Sequence, residues 1–264
     1  MIEQLILDMK GVLYDEVKIA SSEIKVAREG ALGFIKYLKE KQLPFIFGTN
    51  VTSEMKEDIV ADLNKAGFNI SPDNVASCMG LSSAYLKSQG IERIFLISDN
   101  EELREFYKKH GFDLVGYNSQ AVVAGLDKGL EKRTMEKAAY EIRNGAKLIA
   151  LHRNMTRVDG DGRIVPNVGQ LVKDLEEITG YTATVTIGKP SEIFYLWAMK
   201  KLPFQNPAVT LMVGDDPEGD LSGANKLGMQ TAFVKSKKYG IWPVEIGFKP
   251  DYKVSHLGEL VGKF

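Results

Sequence analysis

The chain has 264 residues, 44% of them hydrophobic and 26% charged, with a formal net charge of −1. That is the balance of an ordinary globular protein with enough chain for a sizeable core, and it offers no electrostatic case for nucleic acid or a membrane surface as partner. Its apolar runs are strand-sized, well short of the about 20 residues of a membrane span, and its single cysteine, Cys78, excludes an internal disulfide. Such cysteine usage makes a cytoplasmic location the default expectation, and the N-terminal MIEQLILD carries no basic leader pattern. With no base nearby in sequence, Cys78 is expected to be a buried, inert thiol.

In chain order, QLILD (residues 4–8) reads as a buried strand ending in Asp8. AREGALGFIKYLKEKQ reads as a helix, with Ala31, Phe34, Ile35 and Leu38 at helical spacing. PFIFGTN is the next strand. SEMKEDIVADLNKAG is the next helix, with Ser53 as N-cap candidate and Gly67 as stop. The middle alternates in the same way: strand IERIFLIS, helix NEELREFYKKHG, strand AVVAGL, helix KRTMEKAAYEIRNG, strand KLIALH. DGDGRIVP follows as a turn into a short strand, and NVGQLVKDLEEITG as a helix ending at Gly180. AVTLMVGDD, GDLSGANKLG and TAFVKS close the series as strand, helix and strand. The alternation predicts parallel α/β sheets covered on both faces, in two units whose boundaries fall near residues 76 and 187. Ligands of such sheets sit at the carboxyl ends of strands, where Asp8, Thr49 and Asp215 all fall.

Four pieces meet at those strand ends. Asp8 alone reads as a loop cap. Thr49 and Asn50 offer a hydroxyl and an amide at a predicted helix start, where free N–H groups hold phosphate. Lys189 lies between Gly188 and Pro190. Asp215, Asp216, Glu218 and Asp220 crowd one turn and repel each other unless a cation compensates, and hard oxygen ligands suit Mg²⁺. Together they give a mechanism: a carboxylate attacks phosphorus, a divalent cation neutralises charge, and a lysine takes up the remainder.

With these motifs in this order, the chain resembles a haloacid dehalogenase (HAD) superfamily phosphatase of subfamily IIA, the NagD-like and p-nitrophenyl phosphatase-like proteins. Asp8 matches the nucleophile of motif I, Thr49 motif II, Lys189 motif III, and Asp215 with Asp220 the acidic pair of motif IV. VVAGLDKGLEKRTMEKAAYEIRNGAKLIALH and DGRIVPNVGQLVKDLEEITG follow the pattern of that subfamily's C2 cap. The resemblance covers nearly the whole chain. It implies a Rossmann-like core over residues 1–76 and 187–264, an α/β C2-type cap over 77–186, a Mg²⁺ cofactor and a small phosphorylated substrate, and often a homodimer formed through the cap. It also implies that the metal is held by Asp8, Asp215, Asp220 and the backbone carbonyl of Lys10. The segment LHRNMTR, with His152, Arg153 and Asn154 at a cap strand end, would face the active site, with Arg153 or Arg157 as anion binders beside Asn50 and Asn154.

The departure is Lys10. The family normally places a second aspartate there, which protonates the leaving oxygen and later activates water. A protonated lysine donates hydrogen bonds but is no base. General acid–base help is worth about 10²–10⁴-fold, and its loss hurts alkyl esters most. A mammalian member that shares GVLYD carries serine there. Two readings follow: a phosphatase restricted to activated leaving groups, or an impaired pseudo-enzyme serving as a phospho-ligand or protein-binding module. Other signals carry less. DGDGR resembles a calcium loop, but Gln170 stands at the twelfth position and a hairpin turn is the better reading. GLDKGL lacks the glycine spacing of a nucleotide loop, and no P-loop motif is present. His110 and KSKKYG read as solvated surface, and Phe194, Tyr195 and Trp197 as core or interface.

Overall fold

The computed structural model describes residues 1–19, 22–159, 161–243 and 246–264. In chain order, β1 (Gln4–Leu7) precedes the hairpin β2 (Tyr14–Ile19) and β3 (Ser22–Ala27), then α1 (Ala31–Glu40), β4 (Phe45–Thr49), α2 (Lys56–Lys65), β5 (Val75–Ser77) and α3 (Cys78–Ser88). Next come β6 (Arg93–Ile97), α4 (Glu101–Lys109), β7 (Asp113–Leu114), β8 (Ala121–Ala124), α5 (Lys132–Arg143) and β9 (Lys147–Ala150). A second hairpin, β10 (Thr156–Val158) and β11 (Ile164–Pro166), leads into α6 (Val168–Thr179) and β12 (Val185–Thr186). The chain ends with α7 (Glu192–Met199), β13 (Thr210–Gly214), α8 (Gly223–Lys226), β14 (Gln230–Val234) and β15 (Tyr252–Val254).

The strands build two parallel sheets, the α/β architecture that the alternation predicts. One has six strands in the order β15-β14-β13-β1-β4-β5. The other has five, β12-β9-β8-β6-β7. Side-chain alternation sends Leu5 and Leu7 to one face of the first sheet and Ile6 to the other, each into its own apolar cluster. The Ile6 cluster runs on through α3 and α7 to Ile94, Val123 and Ile149 of the second sheet, so the sheets share a core. Gly80 of α3 packs against the Trp197 ring of α7, at 3.6 Å from where a β-carbon would stand. Phe95, Val122, Ala124 and Leu148 bury the second sheet's other face under α5 and α6. No helix among the described residues is long and apolar enough to cross a membrane.

Local signals place most elements. α1 buries Ala31, Phe34, Ile35 and Leu38, as the periodicity predicts, and α6 ends at Gly180 with φ 76°. Three readings need correction. α2 begins at Lys56 with Met55 at its N-cap, so Ser53 is not the cap. Residues 51–55 are held instead as a loop: the Val51 N–H bonds the Thr49 hydroxyl (3.1 Å) and the Ser53 carbonyl accepts from Asn100 (3.1 Å). No helix therefore opens directly at Thr49. The expected helix over GDLSGANKLG is a wide π-type turn over Pro217–Ser222 followed by the single turn of α8; such turns recur at functional sites. The β2–β3 hairpin falls in a stretch that the pattern left unassigned.

Candidate active site

At the carboxyl ends of β1 and β13, on the switch point where strand order diverges from β1, lies a cavity of about 530 Å³. Asp8 follows β1 and Asp215 follows β13, and the π-type turn brings Asp220 back beside them. One carboxylate oxygen from each of these three residues lies within 4.8 Å of the others. Lys189, on the segment joining β12 to α7, is 1% exposed. Its ammonium donates to Asp8 Oδ1 and to Asp220 Oδ1, the latter at 2.8 Å. Gly11 permits this crowding. It has φ +87°, and a β-carbon there would stand 2.5 Å from Asp215 Oδ2.

Three buried carboxylates against one ammonium leave the cluster short of positive charge. Burial, then Asp220, push the Asp8 carboxyl up to about 7 against the pull of Lys189. Burial, with Asp220 and Asp8, pushes Asp215 well above the carboxylate range. Burial acts to lower the Lys189 ammonium, but Asp220 and Asp8 carry it above the usual lysine value. A deficit of this size among hard oxygen donors fits a divalent cation.

Thr49, 2% exposed at the end of β4, lines the cavity. Asn50 also lines it, but its amide is already spent. The NH₂ donates to the Lys189 carbonyl (2.9 Å) and to Asn154 (2.8 Å), and Asn50 Oδ1 accepts the Lys189 N–H (2.9 Å). Asn50 is thus a latch on the Lys189 segment, and Gly188 lets it close, since a β-carbon there would stand 2.3 Å from Asn50 Oδ1. Asn154 extends the latch across the cavity, donating to Asp216 at 3.4 Å. Arg153, expected to bind an anion, does not line the cavity. Its guanidinium is drawn to Glu176 (2.5 Å) and the Thr186 hydroxyl (3.0 Å). Arg157 on β10 does line the cavity.

Lys10 reaches the cavity wall, but its ammonium pairs with Glu16 of β2 and not with Asp8. The turn closing the β10–β11 hairpin is held by Asp159, which accepts the N–H groups of Asp161 (3.0 Å) and Arg163 (2.8 Å), as the hairpin reading requires; Gly160 itself lies outside the described residues. Cys78 is buried, and burial pushes its thiol up to about 12, in keeping with an inert side chain.

Lys238 and the β2–β3 hairpin went unread in the sequence as contributors, whereas His152 belongs to the segment expected to face the site. Lys238 of KSKKYG is half-buried and pairs with Asp216 at 2.6 Å. The signal was available, because KSKKYG follows a strand that leads to the same sheet edge as Asp8. His152 is 4% exposed, and burial, with Lys189 and Lys238, pushes it down to about 3, so it is a neutral imidazole on the cavity wall. The β2–β3 hairpin reaches over to β10–β11, where Lys18 meets Asp161 at 3.1 Å.

Comparison with known proteins fits this geometry. Residues 5–113 match a family described as haloacid dehalogenase-like hydrolase, and residues 186–260 one described as HAD-hydrolase-like. The chain is 30% identical over 239 residues to haloacid dehalogenase-like hydrolase domain-containing protein 2 of Pongo abelii, covering 90% of this chain and 86% of that one. It is 28% identical over 262 residues to the ribonucleotide monophosphatase NagD of Escherichia coli K12, covering 98% of each. The structure of a 4-nitrophenylphosphatase from Thermotoga maritima superposes with TM-score 0.84 at 29% identity, covering 98% of this chain and 96% of that one. The chain belongs to the haloacid dehalogenase-like hydrolases. Within them it falls in subfamily IIA, among the NagD-like proteins.

Proposed function

We propose that this HAD-type phosphohydrolase dephosphorylates small phosphorylated compounds through an aspartyl-phosphate on Asp8, with Mg²⁺ as its metal, and that it is restricted to activated leaving groups. The observation that carries the reading is the buried cluster of Asp8, Asp215 and Asp220 around Lys189. Asp8, Asp215, Asp220 and the backbone carbonyl of Lys10 are the oxygens that would hold Mg²⁺. When bound, that charge offsets the negative charge of the phosphoryl group and keeps Asp8 ionised.

The chain's own residues then divide the work. A carboxylate oxygen of Asp8 bonds to phosphorus as the bond to the leaving oxygen breaks and its electron pair departs with that oxygen. Lys189 orients Asp8 and takes up charge, and the Thr49 hydroxyl is placed to donate to a phosphoryl oxygen. Water attacks the phosphorus of the aspartyl-phosphate, releases inorganic phosphate and restores Asp8. No carboxylate stands at position 10 to protonate the leaving oxygen, and the Lys10 ammonium is engaged by Glu16. The leaving group therefore departs with little proton help, which favours acyl phosphates, anhydrides and aryl esters over alkyl esters.

Phosphate release from a panel of such compounds, with Mg²⁺ and with EDTA, tests this. Release in Mg²⁺, its loss in EDTA, and its loss in a folded Asp8→Asn variant are expected. Turnover retained by Asp8→Asn would exclude Asp8 as nucleophile. The Lys10–Glu16 pair also favours the second reading, an impaired phospho-ligand binding module, which requires ligand protection without turnover in the same panel.

A further inference from the structure

Cations on the cavity wall come with carboxylate partners in every case but one. Lys10 pairs with Glu16, Lys18 with Asp161 and Lys237 with Asp15. Lys238 pairs with Asp216, and Lys189 with Asp8 and Asp220. Arg157 lines the same cavity and forms no ion pair among the described residues, although Asp159 lies near enough to feel its charge. The nearest acid in sequence, Asp159, spends one oxygen on two backbone N–H groups of its own turn.

The Arg157 Nε is moreover buried without a hydrogen-bond partner. Among the described residues only His256 Nδ1 shares that condition, and His256 does not line the cavity. The Arg157 Nε has no exposed surface, so the donors a cavity ligand meets are the terminal NH₂ groups, which make no hydrogen bond among the described residues. A guanidinium is always charged and presents its donors in a planar fork that matches carboxylate and phosphate oxygens. The other cations of the wall are paired with carboxylates, so only at Arg157 does a ligand anion displace no ion pair.

We infer that Arg157 is a second anion subsite, and that the enzyme prefers substrates carrying, besides the phosphoryl group that meets Asp8, a second anionic group, carboxylate or phosphate. This rests on the phosphatase reading above. The two ends share one cavity of about 530 Å³, more space than a phosphoryl group alone occupies. Arg157 sits on β10, which pairs antiparallel with β11 at the wall of the cavity. Arg153, next to the same strand, cannot serve, since Glu176 holds it.

The test uses matched aryl esters, a favoured class, that differ in the second anion: phenyl phosphate against 4-carboxyphenyl phosphate for a carboxylate, and phenyl phosphate against 1,4-phenylene bisphosphate for a phosphate. kcat/KM is measured for each in wild type, Arg157→Gln and Arg157→Lys. Wild type should favour the doubly anionic member of at least one pair by about 10- to 100-fold, the scale of one charge-assisted contact. Arg157→Gln should erase that ratio mainly through KM, and Arg157→Lys should restore part of it. Which pair responds tells carboxylate from phosphate. A ratio near one for both pairs in wild type, or an Arg157→Gln loss equal on both members, overturns the subsite. If no phosphate is released from any compound, the phosphatase reading fails by itself. The subsite then stands or falls on thermal protection: the same compounds are compared in Asp8→Asn and in Asp8→Asn with Arg157→Gln. Stronger protection by the doubly anionic member that disappears in the double variant supports it, and equal protection refutes it.

Discussion

The two walls of the cavity use charge in opposite ways. On the side of the six-stranded sheet, Asp8, Asp215, Asp220 and Lys189 are buried together, with Lys189 the one cation that bonds these carboxylates among the described residues. On the opposite side, the hairpins carry exposed pairs such as Lys18–Asp161, with side chains about half exposed on both partners. The buried wall is fixed in geometry and strained in charge, as a reaction centre must be. The exposed wall is weakly coupled, which lets its residues vary with the ligand.

This contrast can be broken from either side. The largest effect on stability belongs to Lys189. Lys189→Met leaves Asp8 and Asp220 buried without their cation and should cost about 3–5 kcal/mol, the range for breaking a buried pair. The measurement is denaturant unfolding in EDTA. A cost below about 1 kcal/mol would mean that the cluster is solvated and ordinary. Next comes the metal. Millimolar Mg²⁺ should raise the melting temperature of the wild type by binding the native state, with about 2.7 kcal/mol gained at 100 times Kd. Asp215→Asn should shrink that shift, and an undiminished shift would remove Asp215 from the site. The smallest effect is expected across the cavity. Lys18→Met should change stability by no more than about 1 kcal/mol, since exposed ion pairs contribute little. A larger loss would make the two hairpins a structural clamp.

The same contrast explains what the sequence could disclose. Asp8, Thr49 and Asp215 were legible because each follows an apolar strand, and parallel sheets gather such positions at one edge. Lys189 was legible only through the order of motifs, since a lone lysine beside a proline carries no physical signal of burial. The opposite wall was read less well. Arg153 and Arg157 sit four residues apart in one segment, yet one is taken by Glu176 and the other faces the cavity, a choice made by tertiary contacts with α6. Asn50 read as a ligand-binding amide and is a latch, because its partners, Lys189 and Asn154, are more than 100 residues away. Lys238 hid within a charge run, and the start of α2 was displaced by a loop whose anchor, Asn100, belongs to the other sheet's connections.

Lys10 joins the two walls, since it stands two residues from Asp8 and its ammonium is held by the β2–β3 hairpin through Glu16. The most direct measurement is therefore the rate of Lys10→Asp against wild type, at saturating Mg²⁺, across phosphates whose leaving groups span alkyl alcohols, p-nitrophenol and acetate. A carboxylate restored at that position should speed the alkyl esters by about 10²-fold or more, and p-nitrophenyl and acetyl phosphate much less. Equal gains on every substrate, or a wild type already faster than Lys10→Asp on alkyl phosphates, would contradict the account.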